Sequence, residues 1–379
     1  MSASTHDCLI IGQGLAGSLL ARELIAMKQR VLVVDDYHQS SSSTVAGGLI
    51  NPVTGKRLTL QPGIDYLLPA AQRLYRAIEQ KARSRFFYPL PMLRIFQDDQ
   101  ERLNFERRMD DPAYTPYMQP LPTEDLLRDT HAPFGGCIQT HTGFLRLAEM
   151  LEWLRDEFMI ANSFVRSNFR HEDLTVSASG IEWNGYRATS VIFCEGFRGA
   201  LNPWFSQLPF QLARGEIIDG MPERPLHPHD HIINAGRWLL PEPDGRYRFG
   251  ATMEWDNIDT RVTEDARQAL ADALHERFPA IAFTVTGQRA GVRPATTDRH
   301  PFIGSLRGHS AVMIFNGFGA KGGLLIPWYA AQFANHLVNG EPLDPAADIR
   351  RLAGYKAAKA PVRSGRGGPR TNRRSRTRA

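Results

Sequence analysis

Asp7-Cys8-Leu9-Ile10-Ile11 opens the folded part of the chain with an apolar run whose pattern predicts a strand buried on both faces. Gly12-Gln13-Gly14-Leu15-Ala16-Gly17 then predicts a turn into a helix, and Val31-Leu32-Val33-Val34 repeats the buried-strand pattern up to Asp35. Together these make one βαβ unit. Leu67, Leu68, Ala71, Leu74 and Tyr75 recur at helical spacing within 64–78, Tyr88-Pro89-Leu90-Pro91 reads as extended, and a second amphipathic stretch predicts a helix from Phe144 to Phe158. Short strands follow between Phe164 and Cys194, with a hairpin at Asn184-Gly185; the last, Val191-Ile192-Phe193-Cys194, is apolar throughout and stops at Glu195-Gly196. Gln211–Ile218, Ile232–Leu240 and Arg246–Met253 read as strands of an antiparallel sheet, because Asp244-Gly245 is a hairpin turn. A helix over Glu264–Phe278, a strand over Val312–Phe315, a Gly-rich turn from Asn316 to Gly323 and a final helix complete the pattern. The expected fold class is α/β: a Rossmann-like nucleotide domain interrupted by a mostly antiparallel, α+β insertion.

Each residue type in the opening unit has a mechanical role. Gly12 permits the tight turn, Gly14 lets a pyrophosphate approach the backbone, Gly17 lets the helix pack on the strand, and the helix N-terminus offers oriented N–H groups. Asp35 closes the second strand, where it can accept from a ribose hydroxyl and would repel a 2′-phosphate. NAD and FAD remain as candidates; NADP is a poor one. Ala46-Gly47-Gly48-Leu49-Ile50-Asn51-Pro52, after a Ser-rich loop, is a second glycine pair able to approach a ligand or simply to turn the chain.

Composition adds three constraints. The 379 residues are 42% hydrophobic, ordinary for a globular enzyme and enough for two packed layer systems. No apolar run approaches the ~20 residues of a membrane span, and the opening segment lacks the basic flank of a signal peptide, so the cytoplasm is the expected compartment. Cys8, Cys137 and Cys194 have no paired spacing, so neither a disulfide framework nor a metal site is expected. The net charge of +5 belongs to the end of the chain: residues 361–379 hold seven arginines and no acid, leaving about −2 on the rest. That tail is expected to be disordered, either a solvated extension or a contact for RNA or another polyanion.

Several of these stretches together resemble the D-amino-acid-oxidase-like superfamily of FAD-dependent amine and amino-acid oxidoreductases. The resemblance rests on the βαβ unit, the Ala46-Gly47-Gly48 loop, Val191–Gly196, Arg214-Gly215-Glu216, Leu240-Pro241, Gly250-Ala251-Thr252-Met253-Glu254, Gly291-Val292-Arg293-Pro294 and Thr297-Asp298-Arg299-His300-Pro301-Phe302-Ile303-Gly304. It implies that 1–83, 141–210 and 289–345 build the FAD-binding domain, 84–140 and 211–288 the substrate domain, and 357–379 the basic tail. FAD contacts are implied for Gly12, Gly14, Leu15, Ala16, Gly17, Asp35 and Asp36, and for Ala46, Gly47, Gly48, Leu49 and Val165. They are also implied for Cys194, Glu195, Gly196, Arg293, Gly317, Gly319, Ala320, Lys321, Gly322 and Gly323. Cys194-Glu195 departs from the small residues usual in that strand end. Phe318 stands where some members carry a histidine, and no cysteine adjoins that turn, so the FAD is expected to be noncovalent.

The implied activity is hydride transfer from a carbon–nitrogen bond to flavin N5, followed by hydrolysis of the imine, with oxygen or an electron carrier as acceptor. Arg293 and Lys321 match family cations beside a substrate carboxylate, and Asn51 is a further candidate facing flavin or substrate. The purely structural alternatives are a buried acid partner for Arg293, a solvated Lys321 and a turn-stabilising Asn51. Phe318-Gly319-Ala320-Lys321-Gly322-Gly323-Leu324-Leu325-Ile326-Pro327 is also similar to the FAD domain of the bifunctional wobble-uridine modification enzymes. That similarity allows an RNA-borne amine as substrate, and a flavin-binding module without turnover is the third reading.

Overall fold

The computed structural model describes residues 5–37, 41–177, 180–306 and 308–352. The Arg-rich tail lies outside the described residues.

Two eight-stranded sheets organise the chain. In the first, Thr5–Ile11 lies between Val31–Asp35 and Tyr186–Phe193, parallel to both; Phe164–Arg166 and His309–Asn316 add further parallel pairings. Alternate residues of the central strands enter two different cores. Cys8, Ile10, Val33 and Ile192 pack with helices Leu15–Ala26, Ile64–Ala82, Leu147–Ile160 and Gly322–Asn339. Leu9, Ile11, Val34, Val191 and Phe193 pack on the other side with Ile181, Trp183 and Phe205. A strand covered on both faces has no polar position to spare, which is why these runs read as continuously apolar.

The second sheet runs in the order Phe283–Thr296, Phe210–Pro222, Tyr247–Gly250, Trp238–Pro241, Ile232–Asn234, Met92–Ile95, Gly136–Gln139, Met118–Pro120, antiparallel except between Ile232–Asn234 and Met92–Ile95. Its register places two adjacent rows across five strands. Leu93, Ile233, Leu239, Phe249 and Ile218 form one row and share a core with Leu270, Leu274 and Phe278. Arg94, Asn234, Trp238, Gly250 and Ile217 form the next, and side-chain alternation points them to the opposite face. That face is where the site is built.

Four expectations are corrected. Ile232–Leu240 is not one strand: Gly236, at φ +84°, turns the chain between Ile232–Asn234 and Trp238–Pro241. The strand expected to reach Met253 ends at Gly250, where pairing with the same Phe210–Pro222 strand slips by one residue, so that Thr252 N donates to Glu216 O and Glu254 bridges Arg214. The helix expected from Phe144 begins at Leu147, because Gly143–Leu145 is held as a strand between Leu49–Ile50 and Phe87–Pro89. The domain boundary placed between residues 288 and 289 falls inside the Phe283–Thr296 strand, whose pairing with Phe210–Pro222 continues on both sides of it.

Candidate active site

The three central parallel strands of the first sheet end together, so Gly12, Asp35 and Cys194 meet at one edge: Gly12 N donates to Val34 O at 2.9 Å and Cys194 N to Ile11 O at 2.8 Å. Glycine is required there by space. A Cβ on Gly12, whose φ is +102°, would lie 2.6 Å from Cys194 O, and one on Gly17 would lie 1.9 Å from Gly12 O. The helix starting at Leu15 has no capping side chain on Gly14 and no acid in its first turn; Ser43 Oγ accepts from Leu15 N at 3.0 Å. Its remaining first-turn N–H groups and positive dipole end face the opening between the strand ends. Asp35 is rigid, accepting from Gln13 N at 2.7 Å and from Tyr37 N at 2.8 Å.

A single cavity of about 1020 Å³ runs from this edge to the Gly-rich turn at 319–323. It is lined by Gly12, Gly14, Leu15 and Ala16, by Asp35 and Asp36, by Ala46, Gly47, Gly48 and Leu49, and by Cys194, Glu195 and Gly196. Gly319, Ala320, Lys321, Gly322 and Gly323 line its far end with Asn51 and Arg293. Three expected contacts lie outside the lining. Val165 sits within the strand paired to Val34, and Ser167 and Asn168, two and three residues on, face the cavity in its place. Gly17 packs the helix onto the turn. Gly317, at φ +85°, packs where a Cβ would meet Thr296 Cγ2 at 2.7 Å. An FAD fits what remains: a bare helix N-terminus and glycine turn at the pyrophosphate, an acid at the ribose, and a second helix, Gly322–Asn339, whose uncapped N-terminus also opens on the cavity.

Polar side chains along the wall divide into satisfied and unsatisfied. Asn51 accepts from Val53 N at 3.0 Å and donates to Gln139 Oε1 at 3.2 Å, so its amide holds the chain turn as well as lining the cavity. Lys321 Nζ donates to Gln61 Oε1 at 2.7 Å and meets no carboxylate among the described residues; burial, then the charge of Arg299, lowers its pKa. Arg293 has one weak contact, from Nη1 to Thr252 O at 3.4 Å, and burial lowers its pKa. Among the described residues no acid pairs with it. Two cations thus face one cavity end with no carboxylate partner among the described residues. At the opposite end His171 Nε2 lies 2.9 Å from Glu195 Oε1, and Glu195 Oε2 accepts from Asn202 at 2.7 Å.

Several residues of the site had no sequence signal. Trp238 faces the cavity because its strand register points it there, its Cη2 lying 2.8 Å from the Cβ position of Gly47. Gln61 reaches Lys321 across 260 positions. Gly215 stood inside a recognised motif, yet only the sheet register shows what it faces.

The fold and the cavity define a dinucleotide-binding protein whose second sheet closes one end of the cavity. The chain matches the FAD dependent oxidoreductase (DAO) family over residues 7–336 and belongs to it; FAD is its cofactor. It is 24% identical over 366 residues to glycine oxidase of Pseudomonas aeruginosa, covering 89% of this chain and 96% of that protein. It is likewise 24% identical to the bifunctional tRNA 5-methylaminomethyl-2-thiouridine biosynthesis protein of Marinobacter nauticus, covering 93% of this chain but 58% of that protein. Among solved structures, glycine oxidase from Geobacillus kaustophilus superposes with TM-score 0.78 at 18% identity, covering 90% of this chain and 97% of that one. Iminodiacetate oxidase from Chelativorans sp. BNC1 does so with TM-score 0.73 at 21% identity, covering 91% and 98%. Among the described residues no helix is long and apolar enough to cross a membrane.

Proposed function

We propose that the protein oxidises the carbon–nitrogen bond of a small amino acid or N-substituted amino acid. The observation that carries this reading is Arg293, a half-buried guanidinium facing the cavity with no carboxylate partner among the described residues. A desolvated, uncompensated charge is costly, and a substrate carboxylate supplies the missing partner in the bidentate geometry that guanidinium favours. Lys321 adds a second positive charge, held in place by Gln61. FAD supplies the hydride acceptor. The chain's residues orient the substrate through its carboxylate and keep water out with Leu49, Ile217 and Trp238. The likeness to glycine oxidase supports the same substrate class.

The test is anaerobic addition of glycine, N-methylglycine, proline and D-amino acids to the purified holoenzyme while the visible flavin band is followed. Bleaching by one class is expected and names the substrate. A band that none of them bleaches overturns the reading. Oxygen consumption then separates oxygen from a carrier as acceptor.

A second reading, the same chemistry on an RNA-borne amine, is favoured by the similarity to the bifunctional tRNA biosynthesis proteins, of which the Marinobacter nauticus member is spanned to 58% of its length. Deleting 361–379 and measuring salt-dependent tRNA binding decides it: an unchanged, weak affinity removes this reading.

A further inference from the structure

We propose that Gly215 is a positioning residue for Arg293: its missing side chain is the space that sets where the guanidinium lies. This rests on the carboxylate role proposed for Arg293.

Register supports the placement. Gly215 pairs with Gly291 and Ala213 with Arg293, so Gly215 and Arg293 are diagonal neighbours on the cavity face of the second sheet. A Cβ on Gly215 would lie 2.6 Å from Nη1 and 2.6 Å from Nη2 of Arg293, and 2.7 Å from Thr252 O. Both fork nitrogens therefore sit equally close to this one residue. The carbonyl that Arg293 Nη1 touches is fixed from the same side: Thr252 N donates to Glu216 O at 3.0 Å, and Glu216 N donates to Thr252 Oγ1 at 2.8 Å.

Backbone conformation does not explain this glycine. Gly215 is absent from the positive-φ glycines and lies within the regular Phe210–Pro222 strand, where alanine is conformationally acceptable. What excludes alanine is space. An acid beside Arg293 would also fix the guanidinium, but it would neutralise the charge the substrate needs. A glycine places the fork sterically and leaves its charge free.

The expected consequence of Gly215→Ala is a folded, FAD-loaded protein whose Arg293 is turned aside, since the two nearest obstructing atoms are the far end of a flexible side chain, with a smaller local shift of the Thr252 carbonyl, the backbone atom at 2.7 Å, that is common to both backgrounds of the cycle below. The experiment is a double-mutant cycle over wild type, Gly215→Ala, Arg293→Lys and both together. It is read by the Kd of acetate, taken from perturbation of the visible flavin band, and by the Kd of FAD. Gly215→Ala should weaken acetate roughly tenfold or more beside Arg293 and less than about threefold beside the slimmer Lys, with FAD affinity within about twofold throughout. Equal losses in both backgrounds, no loss of acetate binding, or a parallel loss of FAD affinity overturns the proposal. Arg293→Ala separates the two ideas: unchanged acetate affinity there overturns the carboxylate reading itself. Weakened binding there with none in Gly215→Ala overturns only the role of Gly215.

Discussion

Arg214 and Arg293 stand on neighbouring strands of one sheet, one position out of register with each other, and they have opposite fates. Arg214 points to the face that carries the Glu264–Arg277 helix. Its side chain is 5% exposed and is bonded to Glu216 at 2.6 Å, Glu254 at 2.6 Å and the carbonyl of Arg261. Glu216, fully buried, also accepts from Thr263 and Gln288. Arg293 points to the cavity face and has one long contact to a carbonyl. A buried cation ringed by carboxylates ties an irregular segment, 251–263, to a strand; a half-buried cation with none among the described residues leaves its charge turned to the cavity, the feature on which the proposed carboxylate role rests. Residue type does not tell them apart, because the distinction is set by which face a strand position occupies.

The largest break in this contrast is expected from Arg214→Ala. It strands the buried Glu216 carboxylate without its cation, which should cost about 3–5 kcal/mol and lower the thermal midpoint of holo and apo protein alike. An unchanged midpoint would mean that the network is not structural. Arg293→Ala should leave the midpoint near wild type while weakening carboxylate binding by about 2–4 kcal/mol, roughly 30- to 1000-fold. Equilibrium titration with acetate measures it, and a fall in stability matching that of Arg214→Ala would erase the distinction.

Lys321→Met should have a smaller effect, about tenfold in acetate affinity. Because burial and Arg299 lower the Lys321 pKa, wild-type acetate binding should weaken as pH rises through a value below the ordinary 10.5. The Met variant should lack that alkaline limb. The smallest effect belongs to the opposite end of the cavity, beside Glu195. The hydrogen bond to Glu195 raises the His171 pKa above 6.5, against a smaller opposing effect of burial. The stability this pair contributes is therefore fully present below the unfolded value of 6.5 and is lost as pH rises through the higher folded value. Thermal midpoints of wild type and His171→Gln, compared from about pH 5.5 to about pH 9, should converge toward the alkaline side. A constant gap would exclude the titration.

The glycine turn at Gly12, the buried strands around it, the Asp244-Gly245 hairpin and the final helix were legible in the chain because each depends on local chemistry: φ freedom, apolar runs, turn residues. The strand ending at Gly250 and the split at Gly236 were not, since a one-residue slip in the pairing with Phe210–Pro222 decided the one and a tight turn between paired strands the other. Val165 illustrates the same limit at the site. Its strand was correctly placed, but only the sheet edge shows that Ser167 and Asn168 are the residues reaching the cavity. Arg293 was identified by its motif; that it meets no acid among the described residues required the three-dimensional neighbourhood.

The sequence by itself carried the marks of a dinucleotide-binding βαβ turn and of a strand-rich, mostly antiparallel region after it, because close backbone approach and two-sided burial leave direct marks on residue choice. Only the tertiary structure decided which arginine is ringed by carboxylates and which meets none among the described residues, and that Gly215 lies beside the second. Those depend on register between strands distant in sequence, where a shift of one residue exchanges the two faces of the sheet.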